Sequence, residues 1–154
     1  PINADDSYGS LAPRLERIGG ELLVHALDAS PPFEEQHEAA ATYADKIVAA
    51  DRDLDPSRPA AELERIVRAL HPHIGARVAV SDGAPLRVLA AAVRPAGPPQ
   101  GELATGDGRL LLGCADGALE LLVVQPPGRR PMDAAAYLRG HAQSRRADPD
   151  PGGD

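Results

Sequence analysis

Aromatic side chains are scarce in this chain of 154 residues: they make up 3% of the sequence, and tryptophan is absent. A hydrophobic core must therefore be filled by Leu, Val, Ile and Ala, and the length suits one small domain with an appended segment. The single cysteine, Cys114, excludes an intramolecular disulfide and, within the apolar run 110–114, is expected to be a buried, unreactive thiol. No apolar run reaches the roughly 18 residues that a membrane helix requires, and no signal sequence is recognisable. These absences favour the reducing cytoplasm and no membrane partner.

Positive charge is also in short supply, and its position is informative. The net charge is −7, from 16 basic and 23 acidic residues. Residues 1–64 carry fourteen acidic and five basic side chains, whereas residues 65–154 carry nine and eleven. A negative balance disfavours nucleic acid, because phosphates bind cationic surfaces. The segment 125–146 is the exception, since one acidic residue, Asp133, accompanies five arginines there: Arg129, Arg130, Arg139, Arg145 and Arg146.

The first thirty residues predict an amphipathic helix. Asp5-Asp6-Ser7 offers side-chain oxygens to cap it, and apolar residues then recur on one face: Leu11, Leu15, Ile18 and Leu22. Pro13 is expected in the first turn, where a missing N–H costs little. Gly19-Gly20 costs about 1 kcal/mol per residue inside a helix, so we expect an interruption or a closely packed neighbour there. The acidic, proline-containing stretch that follows predicts an exposed linker over residues 31–50.

Beyond residue 50 the pattern changes to a short helix and then to strands. Ser57 is placed to cap a helix that His71-Pro72 ends. A period of two then predicts five short strands separated by glycine turns, at residues 77–80, 86–89, 101–104, 109–114 and 119–124. Such a series predicts a mainly β fold with flanking helices: a small, closed or nearly closed antiparallel barrel of the oligonucleotide-binding type over residues 51–141. A last short helix is expected to stop at Gly140, before a disordered tail over residues 142–154.

Four segments stand out when they are taken in order. Residues 3–28 hold the first amphipathic pattern, and residues 42–47 read Thr-x-Ala-x-Lys-Ile, with Lys46 as the lysine. Residues 69–76 read Ala-Leu-x-Pro-x-x-Gly-Ala, and residues 118–141 give a strand, a proline turn, two arginines and a short helix. In this order the segments resemble the C-terminal part of the methionyl-tRNA formyltransferase family. The chain departs from the family's pattern at His71, His73 and Pro56, where many members have Asn or Trp.

The resemblance implies a division of labour. In this family an N-terminal Rossmann-like domain transfers a formyl group from 10-formyltetrahydrofolate to methionine on initiator tRNA, and a C-terminal barrel helps to hold the tRNA. Residues 1–30 would then be the terminal helix of a truncated α/β catalytic domain. Because the family's catalytic residues lie upstream of the matched part, we assign no catalytic residue, expect no bound cofactor, and predict that this fragment is inactive alone. We expect a monomer whose partners are initiator methionyl-tRNA and its own N-terminal catalytic domain.

Four cations are the candidate tRNA-binding residues that the resemblance implies. Arg129 and Arg130 occupy the family's basic pair, in a turn held by prolines, and guanidinium groups bind phosphates in bidentate fashion. Arg139 lies on the following helix. Lys46, in the linker, could contact nucleic acid or the catalytic domain, or could be only solvated, just as the arginine pair could be a solvated turn. We predict no metal site, because His71 and His73 flank a proline without a Cys or carboxylate cluster nearby.

A second hypothesis makes the chain a structural or protein-interaction barrel with no affinity for tRNA. The apolar face of residues 11–27 would steady a catalytic domain, and the net charge of −7 is compatible with this role. On either hypothesis we expect the first helix to be loosely held or paired with another molecule. Salt-sensitive binding of tRNA would separate the two hypotheses.

Overall fold

The computed structural model describes residues 1–80 and 84–146, the last six of these by their backbone only. Within them the chain forms three α-helices: α1 (Tyr8–Ala29), α2 (Ala60–Leu70) and α3 (Ala134–Arg146). The strands are β1 (Ala76–Val78), β2 (Leu86–Arg94), β3 (Leu103–Gly106), β4 (Arg109–Cys114), β5 (Gly117–Gln125) and β6 (Met132–Asp133). Two short 3₁₀ turns, Glu38–Ala40 and Ala49–Arg52, lie between α1 and α2.

Helix α1 begins at a capping box and continues unbroken to Ala29. The Ser10 N–H donates to Ser7 Oγ at 3.2 Å, and the Ser7 N–H donates to Ser10 Oγ at 3.0 Å. Because this box sets the start at Tyr8, Pro13 lies beyond the first turn, and the predicted position was wrong. Among the described residues, the predicted break or close contact at Gly19-Gly20 is absent too: the helix runs through both, and no atom beyond the adjacent helix backbone lies within 4 Å of a Cβ built there. The helix formers on either side offset the glycines.

The strands form one antiparallel sheet in the order β1-β2-β5-β4-β3, and β6 pairs with β5 beside this path. Strands β2 and β5 make the central pair, with Arg94 opposite Ala118 and Arg87 opposite Gln125. The predicted fold class and all five predicted strands are confirmed. The two-residue strand β6 was not predicted, because it is too short to show a period. Strands β1 and β3 are the two ends of this order. Among the described residues they do not pair with each other, so backbone hydrogen bonds between them do not close the predicted barrel.

The core lies between the sheet, α2 and α3. Helix α2 buries Leu63, Val67 and Leu70 against the sheet, and α3 adds Ala134 and Tyr137. The sheet contributes a further set of large buried side chains: Val78, Leu86, Val88, Leu110, Leu112, Leu119, Leu121 and Val124. Cys114 is buried among them as expected, and its burial raises the pKa of the thiol. Aliphatic packing thus holds the domain without tryptophan.

The N-terminus of helix α2 is capped by a residue that is distant in the sequence. The residue before its first turn is Pro59, which offers no side-chain acceptor, and the predicted cap from Ser57 was wrong. The Ser57 N–H instead donates to Asp55 Oδ1 at 2.9 Å. The Ala60 N–H donates to Oδ1 of Asp116, in the turn between β4 and β5, at 2.7 Å. This bond fastens the start of α2 to a hairpin turn that lies 56 residues later in the chain.

Helix α3 continues past Gly140, where the sequence predicted its end, and reaches Arg146. A single glycine costs about 1 kcal/mol in a helix interior, and the strong helix formers after it offset that cost. Residues 142–146 of the predicted disordered tail are therefore helical here. The remainder of that prediction, residues 147–154, lies outside the described residues.

Candidate nucleic-acid interface

The turn that follows β5 holds the two adjacent candidate arginines. Pro126 is its first residue, Gly128 has a φ of 69°, and the Arg129 N–H donates to the Pro126 carbonyl at 3.1 Å. A type II turn requires a positive φ at its third position, which glycine adopts without strain, and proline is common at its second. The chain then returns along β5 as β6, where Met132 pairs with Val124. The turn is thus short and anchored at both ends.

Arg129 and Arg130 are both exposed on this turn. Within the described residues, neither side chain takes part in an ion pair or a side-chain hydrogen bond. All guanidinium N–H groups therefore remain available to an external anion. Arg139 is likewise exposed, one and a half turns into α3. The structure places two of these three cations on the turn and the third on α3, which follows β6.

Two residues that sequence reasoning missed hold the turn in place. Gln125, the last residue of β5, donates from Nε2 to the Arg129 carbonyl at 2.8 Å. Its Oε1 accepts from Nη1 of Arg87 on β2 at 3.1 Å. The only sequence feature that could have indicated this link is a glutamine immediately before Pro126-Pro127. Its partner on β2 follows from the strand register, which one sequence does not provide.

Lys46 lies far from the turn along the chain. It lies between the two 3₁₀ turns and is exposed, as are all residues from 31 to 51. In the described part of the molecule, the Lys46 side chain takes part in no hydrogen bond or ion pair. The segment becomes anchored only after it: Arg77 on β1 donates to both Asp53 carboxylate oxygens and to the Ala49 carbonyl. The arginine lowers the pKa of Asp53.

A second cationic group lies on the sheet itself, around Glu120 of β5. Arg109 donates from Nε and Nη2 to the Glu120 carboxylate, both at 2.8 Å, and Arg94 donates from Nε. The Glu120 side chain is 9% exposed, whereas Arg94 and Arg109 are 41% and 46% exposed. The hydrogen bonds from Arg109, followed by the one from Arg94, lower the pKa of Glu120 to about 2. The group carries one net positive charge, and sequence reasoning did not single it out.

Within the described part of the chain, the apolar face of α1 is exposed. The helix buries none of its residues, and Leu22 and Leu27 are 61% and 72% exposed. Its N-terminal end is attached to α2 and the loop after it: Arg68 Nη1 donates to the Asp6 carbonyl at 2.6 Å, and the Gly9 N–H donates to the His71 carbonyl at 3.1 Å. The attachment therefore fixes one end of α1 and leaves its apolar face open.

One histidine near this attachment, His73, has a packing role. The His73 ring meets the Tyr8 ring edge to face, with 5.8 Å between the centroids. The described residues contain no group of three or more His, Cys, Asp or Glu side chains that could hold a metal ion. None of the helices they form has the length and apolar character of a membrane span.

Comparisons with known proteins identify formyltransferases as relatives of this chain. Residues 46–142 match the sequence model of a family described as "Formyl transferase, C-terminal domain". The chain is 42% identical over 150 residues to the methionyl-tRNA formyltransferase of Rubrobacter xylanophilus, a match that covers 92% of this chain and 49% of that protein. It is 43% identical over 143 residues to the methionyl-tRNA formyltransferase of Granulibacter bethesdensis, with 92% and 44% covered. The chain thus spans about half the length of the curated relatives it matches.

Solved structures share the fold at lower sequence identity. A variant of HypX from Aquifex aeolicus superposes with a TM-score of 0.58 at 20% identity, over 87% of this chain and 25% of that one. HypX in complex with tetrahydrofolic acid gives a TM-score of 0.53 at 20% identity, over 77% of this chain and 22% of that one. At this level of identity the likeness concerns the fold alone.

Proposed function

This chain belongs to the family of formyl transferase C-terminal domains, as the order of its motifs indicated, and on that premise we propose that it binds initiator methionyl-tRNA in the cytoplasm during translation initiation. The half of its relatives that this chain does not span would transfer the formyl group, from 10-formyltetrahydrofolate to the methionyl amino group. The barrel would hold the tRNA while that reaction takes place.

The observation that carries the proposal is the pair of arginines on the anchored turn after β5. Exposed guanidinium groups without protein partners are suited to phosphate, which they bind through two parallel N–H donors. Phosphate contacts fix the position of a nucleic acid without reading its sequence, so such a turn would recognise tRNA by its backbone and shape. Arg139 on α3 would extend this contact. Lys46 would make a separate one from the linker.

The local charge of the turn matters more than the charge of the whole chain. The net charge of −7 repels nucleic acid at long range, but charges farther than about 8 Å are largely screened at physiological salt. Most of the excess negative charge lies in residues 1–64, before the strands begin. The turn and α3 therefore present a local cationic surface on an acidic protein.

The division of labour gives a further expectation about activity. Within the chain we assign no residue to formyl transfer, so the 154-residue chain alone should transfer no formyl group when it is given methionyl-tRNA and 10-formyltetrahydrofolate. Formylated product above the level of a protein-free control would refute that assignment.

The direct test of the binding site is charge reversal in the 154-residue chain. We expect R129E/R130E to bind initiator tRNA at least about tenfold more weakly than the parent at moderate salt, because two phosphate contacts become repulsive. Filter retention of labelled tRNA measures the affinity. The urea midpoint should stay at the parent value, since both side chains are exposed and make no side-chain bond within the described structure.

A matched control separates the site from a general effect of charge. R17E/R65E makes the same change in net charge at exposed arginines on α1 and α2. This control should lose much less affinity than R129E/R130E. Equal losses in the two variants, or unchanged affinity in R129E/R130E, would reject the turn as the binding site.

One observation favours the alternative, a module that binds protein and has no affinity for tRNA. The apolar face of α1 is exposed along its length, at Leu15, Ile18, Leu22, Leu23 and Leu27. Apolar patches of this kind mark interaction sites. The occupant we propose is the catalytic domain of the same enzyme, which corresponds to the half of the relatives that lies outside this chain. Absence of any salt-sensitive binding of tRNA, together with a gain in amide protection over residues 11–27 when that domain is added, would favour this function.

A further inference from the structure

The central strand pair brings two polar side chains together beside the arginine turn. Arg87 and Gln125 are directly opposite one another in the register of β2 and β5. Arg87 Nη1 donates to Gln125 Oε1 at 3.1 Å, and Gln125 Nε2 donates to the Arg129 carbonyl at 2.8 Å. The Gln125 amide therefore receives a hydrogen bond at one atom and gives one at the other. Its orientation is determined from both sides.

Arg87 is itself held by the loop between α2 and β1. Its Nη2 donates to the Pro72 carbonyl at 2.9 Å and to the His73 carbonyl at 3.0 Å. Gly75, with a φ of 72°, lies so close that a Cβ there would be 2.0 Å from Arg87 Nε. Because the loop packs directly against the arginine, the guanidinium group has little freedom to turn. One continuous set of hydrogen bonds thus connects this loop to the turn after β5.

The pairing of β5 with β6 anchors the two ends of the turn, where Met132 lies opposite Val124. Between those ends, within the described residues, its one other hydrogen bond is the one that closes it, from the Arg129 N–H to the Pro126 carbonyl. That bond gives the turn its shape but does not determine how it is oriented on the sheet. The direction in which Arg129 and Arg130 extend depends on the orientation of their backbone, and the Gln125 amide constrains that backbone from the sheet side.

We propose that Arg87 and Gln125 are positioning residues for tRNA: they orient the turn so that Arg129 and Arg130 meet phosphates with an ordered backbone. This proposal rests on the proposed function. Ordering the turn before binding removes an entropic cost that an otherwise mobile turn would meet on association. Neither Arg87 nor Gln125 needs to touch the tRNA for this effect.

The test is Gln125→Met, which keeps the length of the side chain and the net charge but removes both hydrogen bonds. We expect tRNA affinity to fall about three- to tenfold, the loss that one neutral hydrogen bond produces, here the one from Gln125 Nε2 to the Arg129 carbonyl. The backbone order parameters of Arg129 and Arg130, measured by NMR relaxation in the free 154-residue chain, should fall from about 0.85 toward 0.6. Order parameters that stay at the parent values would overturn the proposal.

A double-mutant cycle distinguishes positioning from a structural role. If Gln125 acts through the arginines, Gln125→Met should cost no further affinity in a background that already carries R129A/R130A. The same loss in both backgrounds would show that Gln125 does not act through them. If R129A/R130A by itself left tRNA binding unchanged, the binding site would be refuted. If tRNA binding depended on the two arginines but the order parameters of Arg129 and Arg130 were unchanged in Gln125→Met, only the positioning role would be refuted.

A second variant keeps the test decisive if Gln125→Met folds poorly. Gln125→Glu retains an acceptor for Arg87, and so keeps the contact between β2 and β5, but it has no N–H for the Arg129 carbonyl. We expect Gln125→Glu to lower the order parameters of Arg129 and Arg130 while the urea midpoint stays close to that of the parent. This readout needs no tRNA, so repulsion between the added charge and tRNA does not enter it. Unchanged order in Gln125→Glu would overturn the proposal.

Discussion

The carboxylate of Glu120 is the most strongly perturbed acid in the described structure, and it gives a quantitative prediction. It is held on β5 by Arg109 and Arg94, and its pKa is lowered to about 2 from an ordinary value of 4.5. Taken at face value, this difference corresponds to about 3 kcal/mol in favour of the folded state. Because Arg94 and Arg109 are 41% and 46% exposed, solvent screens both ion pairs, and we expect about 1 to 2 kcal/mol.

The sign of the pH dependence follows from the direction of the shift. A carboxyl whose folded pKa is depressed stabilises the protein above its unfolded pKa, near 4.5, and loses that contribution as the pH falls toward 2. Protonation of Glu120 would remove the charge that both arginines bind. The stabilisation should therefore be complete at pH 6 to 7 and nearly gone by about pH 2.

The assay compares the parent with Glu120→Gln by urea unfolding across this pH range. Other carboxyls titrate in both proteins, so the difference between the two unfolding free energies isolates Glu120. We expect Glu120→Gln to be less stable by about 1 to 2 kcal/mol at neutral pH, with the difference shrinking below about pH 4.5. Glu62→Gln, which breaks a more exposed pair with Arg58, should have a smaller effect. A difference that is absent at neutral pH, or that persists unchanged to pH 2.5, would refute the reasoning.

Two further predictions concern backbone features found only in the folded chain. Asp116→Ala should lower the unfolding free energy by about 1 kcal/mol, because the Ala60 N–H loses its acceptor. Asp116→Asn keeps a carbonyl oxygen and should retain most of the stability. Equal losses of stability in urea unfolding would contradict the capping role of Asp116. Gly75→Ala should destabilise the chain by more than about 1 kcal/mol, since its φ is positive and Arg87 occupies the space of a Cβ. Gly20→Ala, in the open helix, should be neutral or stabilising, and a similar loss in both variants would refute this account of Gly75.

The local parts of the fold were predictable from the sequence. Strands β4 and β5 were found close to their observed bounds, because alternating apolar residues and turn glycines are short-range features. The buried state of Cys114 followed from the apolar run around it. The resemblance to formyltransferases also depended on motifs that lie within short segments, and the family match over residues 46–142 confirms it.

The parts that were missed depend on residues far apart in the chain. Asp116, rather than Ser57, caps α2 because folding places the β4–β5 turn against the start of the helix. The link between Arg87 and Gln125 exists only in the register of β2 with β5. The predicted position of Pro13 was wrong because it depends on where the helix starts, and the Ser7–Ser10 capping box determines that start. The four candidate tRNA-binding residues stay predictions, since their exposure is compatible with binding but does not test it.

The central claim is that the turn after β5 binds the phosphate backbone of initiator tRNA, and the salt dependence of binding tests it most directly. The slope of the logarithm of the association constant against the logarithm of salt concentration counts the phosphates that a protein neutralises, at about 0.7 to 0.9 per contact. The account predicts that R129A/R130A reduces the magnitude of this slope by about 1.4 to 1.8. A slope that R129A/R130A leaves at the parent value would contradict the claim, even if the affinity changed.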